Sequence, residues 1–189
     1  MSLVLASASP RRRELLNQIG VTDLIQHPVD IDETPQQGES AIDLVPRLAL
    51  EKAQKGALEL GDNHPVIGSD TVGVLNNEVL CKPVDYADAE RMLLNMSGQW
   101  HEIHTSVALI YKGDQYQATS VSRVKFRDVS VEEIKEYWAT GEPQDKAGAY
   151  AVQGLAAVFI ERIEGSYSGI MGLPLFETAQ LLKQAGYKI

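Results

Sequence analysis

Short apolar runs alternate with amphipathic stretches along the whole chain, and punctuation residues separate them. "SLVLA" predicts a strand, and Ser9-Pro10 then reads as an N-cap with proline at the first helical position. A helix through "RRRELLNQIG", closed by Gly20, follows. "LIQHPVDIDETPQQGES" carries prolines, glycine and carboxylates with no helical period, which predicts a loop with a short strand at its start. Ser40 with Asp43 has the spacing of a capping box and opens a helix to about Leu60, with Pro46 predicted to delay or bend its start. "PVIGSDTVGVL", Asn76-Asn77 and "EVLCKP" read as two strands around a tight turn, and "DAERMLLNM" as a helix.

In "HEIHTSVALIY", a "KGD" turn and "QYQATSVSRVKF", the pattern predicts a β-hairpin whose alternation is clearest in the second arm. Ser130 and Glu133 form a further capping-box pattern before "EEIKEYWATG". "AAVFIERIEGS" reads as a strand and "PLFETAQLLKQAG" as a terminal amphipathic helix. Strands and helices follow no strict βαβ order, so the fold class is α/β with a mixed sheet. The 189 residues hold no internal repeat, low-complexity tract or linker and suit one domain spanning 1–189, built as two lobes around a cleft.

Charge narrows the function classes. With 17 Lys and Arg against 26 Asp and Glu, the formal net charge is −9. That balance argues against a general nucleic-acid or anionic-membrane binder and makes local basic clusters the informative feature. Cys81 is the single cysteine, which excludes an internal disulfide or a cysteine-rich zinc site and fits a reducing compartment. The apolar run at the N-terminus is too short for a secretory signal, and no later run reaches membrane-spanning length, so a cytoplasmic protein is expected.

One basic cluster stands out. Arg11, Arg12 and Arg13 occupy a predicted helix N-terminus, where the helix dipole disfavours cations. A bound phosphate reverses that sign, with Ser7 and Ser9 as further donors; the alternative is that the arginines fan into solvent or pair with Glu14. Asp70 interrupts an apolar strand between Gly68, Ser69 and Thr71. A carboxylate there is costly unless it binds a cation or is paired, and a strand end in an α/β fold is a common place for an active site. The other reading is a strand-end Asp making turn hydrogen bonds. "DIDET" gathers Asp30, Asp32 and Glu33, oxygen donors of the kind that hold magnesium or manganese beside a phosphate, or else a solvated acidic loop. Lys52 and Lys82 alone are ordinary surface lysines. His27, His64, His101 and His104 lack metal-site spacing and are read as structural or surface residues, and Trp100 and Trp138 as packing residues. No P-loop, dinucleotide or serine-hydrolase motif is present. "KAGAYAVQG" places Gly148 and Gly154 among small residues, which fits close approach to a ligand or a tight loop.

Together, "LASASPRRREL", "DIDET", "LALEKAQ", "VIGSDTV", "LCKP", "SGQWHEIHT", "DKAGAYAVQG" and "IEGSYSGIMGLPL" closely resemble the Maf family of nucleoside triphosphate pyrophosphatases, related in fold to the inosine triphosphatases. The resemblance runs nearly end to end in the same order. It implies an elongated mixed sheet flanked by helices and hydrolysis between the α- and β-phosphates with a divalent metal cation, Mg or Mn. It also implies a homodimer. Residue by residue, it implies Asp70 as the catalytic base near the metal and Glu33 as its acidic partner for the cation. Ser7, Ser9, Arg12, Lys52 and Lys82 are implied as the phosphate-binding set. Arg11, Thr71 and Gln153 fall at the three positions that separate subgroups, and their combination resembles the subgroup acting on dTTP and UTP. "VDIDETP" and "RLALEKAQ" are more similar to members acting on 7-methyl-GTP. A non-catalytic nucleotide-binding regulator of septum formation is the rival reading, and intact Asp70, Glu33, Lys52 and Lys82 favour an enzyme over it.

Overall fold

The computed structural model describes residues 1–61 and 63–189. Its strands are β1 (Leu3–Leu5), β2 (Leu24–Gln26), β3 (Val66–Leu75), β4 (Glu78–Leu80), β5 (Trp100–Tyr111), β6 (Asp114–Phe126) and β7 (Ile160–Glu164). Its α-helices are α1 (Pro10–Gln18), α2 (Ala41–Leu60), α3 (Tyr86–Met96), α4 (Val131–Ala139), α5 (Tyr167–Met171) and α6 (Leu175–Gln184). The strands form one sheet in the order β2-β1-β3-β5-β6-β7, with β4 paired to β3. β1 runs parallel to both β2 and β3, whereas β4 on β3 and β7 on β6 are antiparallel. The sheet is mixed, as expected from the element order.

The chain separates into two compact units. One comprises Met1–Thr71, His104–Ser120 and Ser168–Ile189; the other comprises Val72–Ile103 and Val121–Tyr167. The first has an aliphatic core in which Leu3, Leu5, Leu16, Ile67, Leu109 and Leu182 are fully or almost fully buried. The second centres on aromatic rings: His101, Phe126 and Tyr150 meet edge to face, and Phe159 packs edge-on against Tyr137.

Local chemistry explains the element boundaries. Ser9 caps α1 through its side chain, and Pro10 fills a position whose missing N–H costs nothing. Asn76 and Asn77 both take positive φ, 51° and 67°, the primed geometry that matches strand twist in a two-residue hairpin. Ser130 and Glu133 form the complete reciprocal capping box. β6 alternates buried and exposed residues, while β5 is buried almost throughout because both its faces are covered.

Three expectations need correction. α2 begins at Ala41 and is not delayed by Pro46, because Ser40 caps it and accepts from the Asp43 amide at 3.2 Å. The Ser40 hydroxyl donates to the Asp43 carboxylate at 2.6 Å, so Asp43 does not complete a capping box through the backbone. The first part of "AAVFIERIEGS" is not strand: Leu155–Phe159 is a 3₁₀ turn, burying Ala156 and Phe159, and β7 starts only at Ile160. Among the described residues no helix is long and apolar enough to cross a membrane.

Candidate active site

In the first unit, a close contact between α2 and β3 brings charged groups together. A Cβ on Gly68 would fall 2.3 Å from Ala49 O and 2.5 Å from Ala53 N, so only glycine lets the helix backbone sit this close to the strand. Ala49 and Ala53 complete the small-residue contact, both fully buried. One turn along, Lys52 projects to Asp70, with Nζ 2.7 Å from Asp70 Oδ1 and 2.7 Å from Glu33 Oε1. Two carboxylates from distant points of the sequence thus converge on one ammonium group. Lys52 and Asp70 are largely shielded, with side chains 11% and 15% exposed, while Glu33 reaches in from the solvent side at 60%. Burial raises the Asp70 pKa above the usual carboxylate range, and the charge and hydrogen bond of Lys52 pull against that rise.

Arg12 is fixed on three sides. Nε donates to Gly172 O at 2.8 Å, Nη1 to Ser7 Oγ at 3.1 Å and Nη2 to Thr71 Oγ1 at 3.5 Å. Among the described residues these bonds use three of the five guanidinium donors and leave two for a ligand. Burial lowers the Arg12 pKa, opposed by the Asp70 charge, and a guanidinium still remains protonated at neutral pH. Its acceptors are themselves held. Ser69 Oγ donates to Ser106 O and shares Gly172 O, at 2.8 and 3.0 Å, and Thr105 Oγ1 lies 3.0 Å from Thr71 Oγ1 while donating to Gly169 O at 2.8 Å. Ser7 Oγ also accepts from the Ser9 amide, and Ser9 Oγ from the Arg12 amide. The first turn of α1 contains no acidic residue, so the counter-charges felt by its basic N-terminus, Asp70 and Glu33, come from outside the helix.

Ser7, Ser9, Arg12, Glu33, Lys52, Asp70 and Thr71 therefore lie in one unit as a linked set. Arg11 is half-buried beside Arg12, whose pKa its charge lowers, and Arg13 is exposed. Asp30 is exposed, and Asp32 caps its own loop by accepting from the Thr34 amide at 2.9 Å. Of the acids in "DIDET", Glu33 is the one that reaches Lys52. Lys82 and Gln153 belong to the second unit, where both are exposed. There the Gly148 amide donates to Cys81 O at 2.9 Å, tying the segment next to Lys82 to the Gly148 turn. Gly148 takes φ 71°, but the neighbour of Gly154 is the Glu142 carboxylate, so a tight loop accounts for these glycines.

The residues that hold the site were not singled out from sequence. Arg47 donates to Glu39 Oε1 at 2.6 Å, to Glu51 at 3.1 Å and to Thr34 O at 3.1 Å, pinning the loop that carries Glu33. Only its i,i+4 spacing to Glu51 was a visible signal. Three of the histidines make structural contacts: His27 pairs with Glu59 at 2.6 Å, His64 contacts Ser2 O, and buried His101 contacts Tyr150 Oη at 2.7 Å.

Glu33 and Asp70 are hard oxygen donors that already enclose a cation, the Lys52 ammonium, so their chemistry fits magnesium or manganese. Among the described residues no cluster of three or more His, Cys, Asp or Glu could hold a metal by itself. A cation at these two carboxylates would complete its shell with water and phosphate oxygens, as magnesium commonly does.

Comparison with known proteins finds relatives along nearly the whole chain. A dTTP/UTP pyrophosphatase of Hahella chejuensis is 51% identical over 189 residues, covering 99% of this chain and 94% of that protein. One from Aromatoleum aromaticum is 50% identical, covering 99% and 97%. One from Vibrio parahaemolyticus is 48% identical, covering 97% of each. The solved structure of a HAM1 protein from Coxiella burnetii superposes with a TM-score of 0.56 at 17% identity, covering 98% of this chain and 100% of that one, a likeness of fold. The sequence profile of the family described as Maf-like protein matches residues 2–185, and the chain belongs to that family.

Proposed function

We propose that this protein is a nucleoside triphosphate pyrophosphatase that hydrolyses dTTP and UTP to the monophosphate and pyrophosphate. The observation that carries the reading is the convergence of Asp70 and Glu33 on Lys52, beside an Arg12 already anchored at the α1 N-terminus. Relatives bearing the dTTP/UTP pyrophosphatase name match along nearly the whole chain at 46 to 51% identity, which supports the same substrates here. The similarity of "VDIDETP" and "RLALEKAQ" to members acting on 7-methyl-GTP falls on segments with metal and phosphate roles rather than base choice, and no observation favours a non-catalytic regulator.

The two remaining Arg12 donors, the Ser7 and Ser9 hydroxyls and the N-terminus of α1 bind the triphosphate, with Lys82 a further phosphate ligand. Glu33 and Asp70 would hold a divalent cation, which would supply neutralisation of phosphate charge. Lys52, paired with both carboxylates here, turns toward a phosphate oxygen when the triphosphate binds. Asp70 accepts a proton from a water as its oxygen bonds to the α-phosphorus, and the α–β bridging oxygen leaves with pyrophosphate. Arg12 and Lys52 stabilise the charge that develops on the phosphate oxygens. Arg11, Thr71 and Gln153 choose the base, and 5-modified pyrimidine triphosphates belong to the same class.

The whole chain, 1–189, works as one catalytic domain, cytoplasmic and homodimeric; sedimentation at micromolar concentration checks the dimer. The activity itself is tested by pyrophosphate release from dTTP, UTP, CTP, GTP and 7-methyl-GTP with Mg or Mn. Turnover of dTTP and UTP above the others is expected. Turnover of 7-methyl-GTP alone would overturn the pyrimidine assignment, and no turnover would overturn the enzyme.

A further inference from the structure

Gln153 is the exposed tip of a turn whose other residues are held from behind. The Gly154 amide donates to Ala151 O at 3.1 Å, and Tyr150, Ala151, Val152 and Ala156 are buried. Downstream, Glu142 closes the turn: Oε2 accepts from the Leu155 amide at 2.9 Å and Oε1 from the Ala156 amide at 3.4 Å. These are the first N–H groups of the 3₁₀ turn Leu155–Phe159, which has no side-chain cap of its own. Tyr137 Oη donates to Glu142 Oε1 at 2.7 Å and so holds that carboxylate in place. The two amides that follow the Gln153–Gly154 tip thus end on one carboxylate, itself held by Tyr137.

Gly154 fits the same device. A Cβ there would lie 2.3 Å from Glu142 Oε2 and 2.4 Å from Cδ, although the Gly154 backbone, φ −106° and ψ −155°, is open to any L-residue. Glycine is required by the carboxylate alone. We propose that Glu142, itself held by Tyr137, is a positioning residue that fixes the Gln153 turn and thereby sets base discrimination. The proposal rests on the reading that Gln153 faces the base. A hydrogen-bonding side chain discriminates only when its direction is fixed, and a displacement near 1 Å costs about 10²-fold in rate. A turn of small residues with an exposed tip has little stiffness of its own, so the charge-assisted bonds to Glu142 supply it.

The test measures kcat and KM for dTTP, UTP, dCTP and dGTP in wild type, Glu142→Ala, Glu142→Gln, Gly154→Ala and the Glu142→Ala/Gly154→Ala double variant. The quantity read is the ratio of kcat/KM between the best and worst bases. Glu142→Ala is expected to lower that ratio about tenfold or more, with KM for the preferred base carrying more of the loss than kcat. Glu142→Gln, which keeps an acceptor, recovers most of it. Gly154→Ala displaces the carboxylate and has the same effect, so the double variant is no worse than either single one. If Glu142→Ala does not fold, Gly154→Ala alone reads the same ratio. An unchanged ratio in a folded variant, even with a lower melting temperature or uniformly slower turnover, overturns the proposal. A wild type preferring a purine would refute the pyrimidine reading and leave this test intact, whereas a wild type with no base preference overturns both.

Discussion

Replacing Gly68 by alanine tests how a packing contact sets the catalytic geometry. The added Cβ would meet Ala49 O at 2.3 Å and Ala53 N at 2.5 Å, both backbone atoms that no rotamer change can move. Restoring ordinary contact requires α2 to withdraw from β3 by about 1 Å, and overpacking of this kind costs about 1–3 kcal/mol. For a chain of this size, each kcal/mol shifts the melting temperature by about 2–4 °C, so a fall of roughly 2–12 °C is expected. Lys52 travels with α2, and its 2.7 Å bond to Asp70 Oδ1 stretches beyond hydrogen-bonding range. A misplacement of that size costs about 10²-fold in turnover. Calorimetry and steady-state pyrophosphate release on the same preparation measure both effects. Retention of both the melting temperature and kcat would refute the claim that this contact positions Lys52.

Further consequences follow from the charges. Lys52→Met removes the two strongest influences that oppose the burial of Asp70, so in the metal-free protein its pKa rises further; an NMR titration of that carboxyl without added metal should move to higher pH, and an unmoved titration would contradict the pairing. Arg47→Ala releases the loop beside Glu33 and should raise the Mg concentration for half-maximal activity about 10-fold or more, with activity regained at high Mg. Burial depresses His101 to about 4, so the unfolded chain binds the proton first and stability falls as pH drops from about 6.5 toward 4. Arg47 holds Glu39 at about 2, a contribution present above about pH 4.5 and lost on descent toward 2. The melting-temperature gap between wild type and Glu39→Gln should therefore close as acid is added, and a gap independent of pH would contradict it.

Elements with strong local chemistry were legible in the sequence. The Ser9-Pro10 start of α1, the Asn76-Asn77 turn and the Ser130–Glu133 box each depend on neighbours within a few residues, and each stands where expected. Leu155–Phe159 misled because a run of apolar residues has no visible period; the Glu142 carboxylate that supports this 3₁₀ turn lies thirteen residues before Leu155. In the same way Asp70 was conspicuous as a charge within an apolar strand, and Glu33 and Lys52 were legible through family resemblance. Their meeting at Nζ was not, since it depends on the Gly68 contact between a helix and a strand. Arg12 stood out at a helix N-terminus, but its anchor Gly172 O lies 160 residues away and offers no side chain to notice.

The most direct test of the account is hydrolysis of dTTP and UTP by Asp70→Asn beside wild type, with nucleotide affinity and melting temperature measured on both. The substitution keeps shape while removing the base and one of the two carboxylates that enclose Lys52. A loss in kcat of about 10²-fold or more is expected, with the fold intact and affinity changed far less. Turnover near the wild-type rate would contradict the assignment of Asp70 as the group that takes the proton from water.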